Sequence, residues 1–184
     1  MKIVDLDPQN ESFVRQLAEL LVDVLNIWKP TIEEALEEVR ESFPDERISR
    51  IAVEDDLVLG WVGGIKEYSG HTWELHPLAV RRDRQRQGIG RALVADLEEQ
   101  VRERGGHTIM LGTDDERGET SLAGIDLFPN PLEHLRNLKN PGGHPYEFYQ
   151  KVGYTIVGVI PDANGFGMPD IFMAKRIDPG IVER

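Results

Sequence analysis

The chain has 184 residues and 20.8 kDa, about the length of one domain and enough to bury on the order of 70% of its unfolded surface. With 40% hydrophobic and 29% charged residues and no cysteine, it falls outside disordered chains, disulfide frameworks, thiolate zinc sites and cysteine nucleophiles. A net charge of −12 argues against nucleic-acid binding, and no apolar run approaches the ~18 residues of a membrane helix.

Ile3, Val4 and Leu6 alternate as a short strand closed by Asp7-Pro8. Phe13, Leu17, Leu20, Leu21, Val24 and Leu25 recur at helical spacing. Glu19 and Asp23 within this stretch exclude a secretory leader, and we expect a cytoplasmic protein. Thr31 with Glu34 forms a capping-box pattern that opens a second helix running to about Ser42, stopped by Pro44. Ile48–Val53 and Leu57–Ile65 read as a hairpin around Glu54-Asp55-Asp56, and Thr72–Val80 as a third strand of this group. Ile89, Leu93, Val94, Leu97 and Val101 mark a helix that ends at Gly105-Gly106, followed by a strand over His107–Gly112. Residues 113–145 predict a long functional loop with a weak helical patch at Leu132–Leu138. Tyr146–Val152 reads as a short helix, and Tyr154–Ile160 and Met168–Arg176 as closing strands. The order predicts a single α/β domain over 1–184, with a mixed, mostly antiparallel sheet and helices on both faces.

Charge is unevenly spread. Residues 1–60 carry six basic and fifteen acidic side chains, whereas 81–91 carry five arginines and one aspartate. The stretch Gln85-Arg86-Gln87-Gly88-Ile89-Gly90, with Arg91 after it, lies between a strand and a helix. Free N–H groups and the positive dipole end at a helix start suit phosphate oxygens, and glycines let the backbone approach them. Arg81, Arg82, Arg84 and Arg86 add positive charge. A P-loop would need Gly-Lys-Ser/Thr. A dinucleotide fingerprint would place a small residue where Leu93 stands and an acid about 20 positions later, where Met110 stands.

The Gln-x-x-Gly-x-Gly stretch at 85–90 resembles the acyl-CoA loop of the GCN5-related N-acetyltransferases. Further resemblance runs through Trp73-Glu74-Leu75-His76-Pro77-Leu78, Leu111–Asp115, His144–Tyr149, Pro161–Gly165 and Met173-Ala174-Lys175. These segments are similar to the aminoglycoside 6'-N-acetyltransferase branch of that family. Trp28-Lys29-Pro30-Thr31 departs from the Trp-Pro and acidic turn common there. The resemblance implies acetyl-CoA as cosubstrate, no metal, and a homodimer. Another polycationic amine, such as a polyamine or protein amine, and a non-catalytic acyl-CoA-binding module are the competing readings.

Acetyl transfer to an amine needs a neutral nucleophile, and stripping the proton from an alkylammonium costs about 4.6 kcal/mol at pH 7. Glu74, alternating with the apolar Trp73 and Leu75, is the candidate base. His76 is a candidate to orient the acceptor or relay the proton. Pro77 cannot donate to a ladder, so an edge or bulge is expected there, leaving main-chain groups of Leu78, Ala79 and Val80 for a pantetheine arm. The resemblance gives the Leu78 N–H the thioester oxygen and makes Tyr149 the general acid. Gln85, Arg86, Gln87, Gly88, Ile89, Gly90 and Arg91 would hold the diphosphate. Asp114 and Asp115 are expected on an acidic rim that attracts a polyamino sugar. Trp28 could stack on the sugar or lie in the core. His107, His134 and His144 show no ligand spacing with acids in the sequence.

Overall fold

The computed structural model describes residues 1–178, so the expected domain end at 184 lies outside the described residues. The chain forms two compact units, Met1–Ile109 with the segment from Ile177, and Met110–Arg176. In the first unit the elements are β1 (Lys2–Asp5), α1 (Glu11–Val24), α2 (Ile32–Glu41), β2 (Arg47–Glu54), β3 (Leu57–Glu67), β4 (Thr72–Val80) and α3 (Ile89–Glu103). The second holds most of β5 (Thr108–Asp114), then α4 (Pro131–Arg136), α5 (Tyr146–Lys151), β6 (Thr155–Ile160) and β7 (Asp170–Arg176).

Local chemistry accounts for most boundaries. Asn10 caps α1 by accepting from the Phe13 N–H, and Thr31 and Glu34 form the expected capping box on α2. The β2–β3 turn sets both Asp55 and Asp56 at positive φ, the geometry of a two-residue hairpin. Two short 3-10 turns stand at Tyr68–Gly70 and Arg82–Arg84. Strand β5 runs on to Asp114, past the expected end at Gly112, and β7 starts two residues later than expected.

Strands of the first unit follow the order β1-β2-β3-β4, all antiparallel. Their two faces are covered by different helices. Trp61 and Ala79 join Leu17, Leu20 and Leu21 of α1 and Ala35 and Val39 of α2 in one apolar core. On the other face Leu93 and Leu97 of α3 press against Gly60 and Gly64. Arg50, on β2, pins α3 from below: it donates to both oxygens of Asp96, at 2.7 and 3.0 Å, and to Asp5 at 2.7 Å. Hydrogen bonds to Asp96 outweigh its burial and push its pKa up, so it stays charged. In the second unit the strand order is β5-β7-β6, with β6 and β7 antiparallel.

The feature that positions the site is a bulge in β4. Val62 pairs with Leu78 but Gly64 pairs with Leu75, so β4 carries one residue more than β3 between those points, at His76-Pro77. The extra residue fits because position 63 lacks a side chain: a Cβ there would lie 2.2 Å from the His76 carbonyl oxygen. Replacing Gly63 by Ala should therefore lower stability by about 1–3 kcal/mol, measured by urea denaturation, and lower turnover as well.

Candidate active site

The bulge reverses which face each side chain of β4 takes. Before it, Leu75 opposes Gly64 on the α3 face, so Glu74 and His76 turn toward α1 and α2. After it, Ala79 joins the α1–α2 core, and Val80 turns to the α3 face beside Gly60 and Leu93. Glu74 is half-buried and forms no ion pair with a described residue. A carboxylate so placed attracts an ammonium group and can take its proton.

The expectation that Leu78, Ala79 and Val80 all leave their neighbour is corrected in part. All three lie in register with β3, at Val62, Trp61 and Gly60. The Arg81 N–H donates to the Leu59 carbonyl at 2.9 Å, which fixes the alternation. In an antiparallel ladder Ala79 then bonds β3, while the N–H and C=O of Leu78 and Val80 point away from it. Val80 bears this out, since its carbonyl accepts from the Gln85 side-chain amide at 3.1 Å. The Leu78 N–H is thus aimed outward from β3, as an oxyanion donor must be.

The glycine-rich loop builds the anion cradle. Its first helical bond runs from the Ala92 N–H to the Gly88 carbonyl, so the N–H groups of Ile89, Gly90 and Arg91 precede the ladder of α3. Gly88 sits at φ +88° with nothing within 4 Å of where a Cβ would be, and Arg86 shares that left-handed region at φ +59°. Gln85 and Gln87 brace the loop: the Gln87 amide donates to the Asp83 carbonyl at 3.2 Å. Their side chains are supports for the loop. Arg81 and Arg84 pair with Asp83, Arg84 also faces Glu54, and Arg82 pairs with Asp23. Arg86 and Arg91, both exposed, make no ion pair with a described residue. They are the cations left for an anionic ligand.

Trp28 is 37% exposed and therefore no core residue. Its ring meets the His76 ring edge-on with centroids 4.9 Å apart. Glu38, on α2, escaped the sequence reading because an acidic helix face looks solvated. It is buried, with one carboxylate oxygen 3.2 Å from Lys29 Nζ and the other 3.7 Å from His76 Nε2.

In the second unit Asp114 is exposed and accepts from the Asn164 side-chain amide. Asp115 does not stand on a rim. It is 1% exposed and accepts from the N–H groups of Glu119 at 2.7 Å and Thr120 at 2.8 Å. Burial would raise its pKa, but hydrogen bonds from the Thr120 hydroxyl and these N–H groups, aided by His144, hold it below the usual carboxylate value. Glu116, beside it in sequence, is pushed up by burial and by the charge of Asp114. The fold also unites what spacing hid, bringing Asp115, Glu119 and His144 within 4.8 Å. His144 Nε2 lies 3.0 Å from the Asp114 carbonyl and Nδ1 accepts from the Tyr146 N–H at 3.3 Å, so the group acts as a hydrogen-bonded latch on the loop.

Tyr149 is buried, with its ring edge-on to Phe148 at 5.2 Å and Tyr154 at 5.9 Å. Tyr146 is also buried, whereas Phe148 is half-buried. Burial pushes the Tyr149 phenol above the tyrosine range, so it holds its proton through neutral and mildly alkaline pH.

A four-stranded antiparallel sheet covered by α1 and α2 on one face and α3 on the other, a bulged fourth strand and a glycine loop feeding a helix start define an acyltransferase of the GNAT type. The GNAT acetyltransferase family model matches residues 14–123, and the chain belongs to that family. The chain is 44% identical to an aminoglycoside 6'-N-acetyltransferase crystallised with coenzyme A, covering 97% of this chain and 98% of that one with a TM-score of 0.91. The aminoglycoside 6'-N-acetyltransferase from Enterococcus faecium is 43% identical over the same shares, with a TM-score of 0.89. At 14% identity and a TM-score of 0.66, the ribosomal-protein-S18-alanine N-acetyltransferase from Escherichia coli shares the fold, covering 100% of this chain and 99% of that one. Comparison with curated proteins gave no match. No helix of the described residues is long and apolar enough to cross a membrane.

Because the Tyr149 pKa is raised on folding, the stability tied to its proton is complete below the unfolded value near pH ~10 and lost as pH rises beyond it. Replacing Tyr149 by Phe should flatten the fall of unfolding free energy above that pH by up to about 1.4 kcal/mol per pH unit, read from urea titrations at stepped alkaline pH. Asp115→Ala should cost about 1–3 kcal/mol and loosen residues 115–120, visible as faster amide exchange there.

Proposed function

We propose that the chain transfers the acetyl group of acetyl-CoA to the 6'-amine of an aminoglycoside, by direct attack within a ternary complex. The observation that carries this reading is a carboxylate, Glu74, half-buried and without a basic partner among the described residues, two residues from a bulge that turns the Leu78 N–H outward. Near-full-length identity of 43–44% to aminoglycoside 6'-N-acetyltransferases supports the acceptor.

In this mechanism Glu74 draws the acceptor ammonium and takes its proton, directly or through water. The amine attacks the thioester carbonyl, whose oxygen gains negative charge and accepts from the Leu78 N–H. The attacking nitrogen then gives its second proton to water as the carbon–sulfur bond breaks and the amide forms, and the phenol of Tyr149 donates a hydrogen bond to the departing thiolate. The N–H groups of Ile89, Gly90 and Arg91, with the Arg86 and Arg91 side chains, bind the diphosphate. Asp114 and Glu116 add negative charge that favours a polycation. The chain lacks cysteine, so a thioester acyl-enzyme has no nucleophile. The same reading makes 1–184 a single domain acting in the cytoplasm as a homodimer, with antibiotic resistance as its effect on the host.

Glu74→Gln should lower kcat for tobramycin about 10²–10⁴-fold with the fold intact, measured by thiol release. Unchanged turnover would remove Glu74 from its role. Arg86→Ala with Arg91→Ala should raise KM for acetyl-CoA at least about tenfold, and Arg82→Ala should not, because Arg82 is already held by Asp23. If tobramycin, kanamycin and other aminoglycosides release no thiol while polyamines or peptides do, the acceptor assignment fails.

A further inference from the structure

Lys29, on the segment between α1 and α2, occupies a definite place. Its ammonium lies 3.2 Å from Glu38 and 4.4 Å from the centre of the Trp28 ring. The other carboxylate oxygen of Glu38 lies 3.7 Å from His76, and His76 meets Trp28 edge-on. A nearly buried carboxylate and an indole face thus hold one primary alkylammonium, and an imidazole contacts both of those groups. His76 is two residues from Glu74, and both turn toward the α1–α2 side of β4. The chemistry that encloses Lys29 is therefore the chemistry that recognises an amine acceptor, on the same strand segment as the proposed base.

We infer that Lys29 is the chain's own occupant of an alkylammonium site formed by Trp28, Glu38 and His76, and that it sets the acceptor preference. The inference rests on the amine-acetyltransferase reading. With Lys29 in place, an incoming polycation must displace it from Glu38 or leave one ammonium unpaired beside a like charge. Without Lys29, Glu38 is a buried carboxylate lacking its counter-ion, and an external ammonium supplies it. The lysine thereby weakens binding of acceptors with many ammonium groups relative to those with few.

The test uses the full chain and two variants, Lys29→Met and Lys29→Gln. Thermal unfolding is followed in propylammonium chloride and in sodium chloride of equal ionic strength. Propylammonium should raise Tm of the variants and leave the wild type level, since a ligand that binds only the folded state stabilises it. Tobramycin should bind the variants on the order of tenfold more tightly than the wild type in calorimetry. A variant that responds to the two salts alike, or binds tobramycin no better, overturns the site. Lys29→Gln keeps an amide donor for Glu38 and carries the test if Lys29→Met does not fold. The salt comparison needs no turnover. A wild type that acetylates tobramycin with salt-indifferent variants sinks this inference alone, and a wild type that acetylates no amine sinks the underlying reading.

Discussion

One close approach governs the active strand: the His76 carbonyl over Gly63, where a side chain would have no room. That contact admits an extra residue into β4, and the extra residue resets the alternation of the strand. A regular strand would send Glu74, His76, Leu78 and Val80 to one face. The bulge instead sends the two titratable side chains toward α1 and α2 and the two aliphatic ones toward α3. It also decides which amides are spent on β3 and which are not. Side chain and main chain are therefore delivered by one irregularity.

The charge arrangement follows a similar economy. A chain of net −12 must present positive charge to a diphosphate at one place without letting its own acids neutralise it. Three of the five arginines of 81–91 are engaged by Asp23, Glu54 and Asp83, and those pairs shape the loop. Two remain beside the start of α3. The glutamines contribute by holding carbonyls of the loop and of β4, which turns them into braces for the backbone donors. A glycine at φ +88° and an arginine at φ +59° then let those donors converge.

Elements set by neighbours in sequence were legible: the Thr31–Glu34 cap, the Asp55-Asp56 turn, the glycine stop of α3, and the glycine loop before that helix. Pro77 announced an irregularity, because proline cannot join a ladder, but its consequence for the faces depended on Gly63 from another strand. The same limit explains Asp115. It reads as one more acid in an acidic loop, yet amides at 119 and 120 fold back onto it and draw it inside. Glu38 belongs to a helix whose other acids are solvated, and only Lys29 and His76 mark it as different. Trp28 went the opposite way, an aromatic that sequence habit would place in the core standing exposed instead. Partners distant along the chain leave no local signature.

The proton inventory of the proposed reaction constrains what Tyr149 can contribute. In that proposal the acceptor nitrogen sheds two protons, one to Glu74 before attack and a second to water as the amide forms. The leaving thiolate needs a proton only if its acid is weak at the working pH. With a thiol value near ~8.5, full protonation is favourable by only about 2 kcal/mol at pH 7. A phenol whose burial has raised its pKa is a poorer acid than free tyrosine, so complete transfer to sulfur runs uphill by more than that of an ordinary phenol. The same burial keeps the hydroxyl protonated and screens it from water, which strengthens a hydrogen bond to a developing anion. Tyr149 is thus suited to stabilise charge on sulfur as the bond breaks, with solvent completing the protonation afterward.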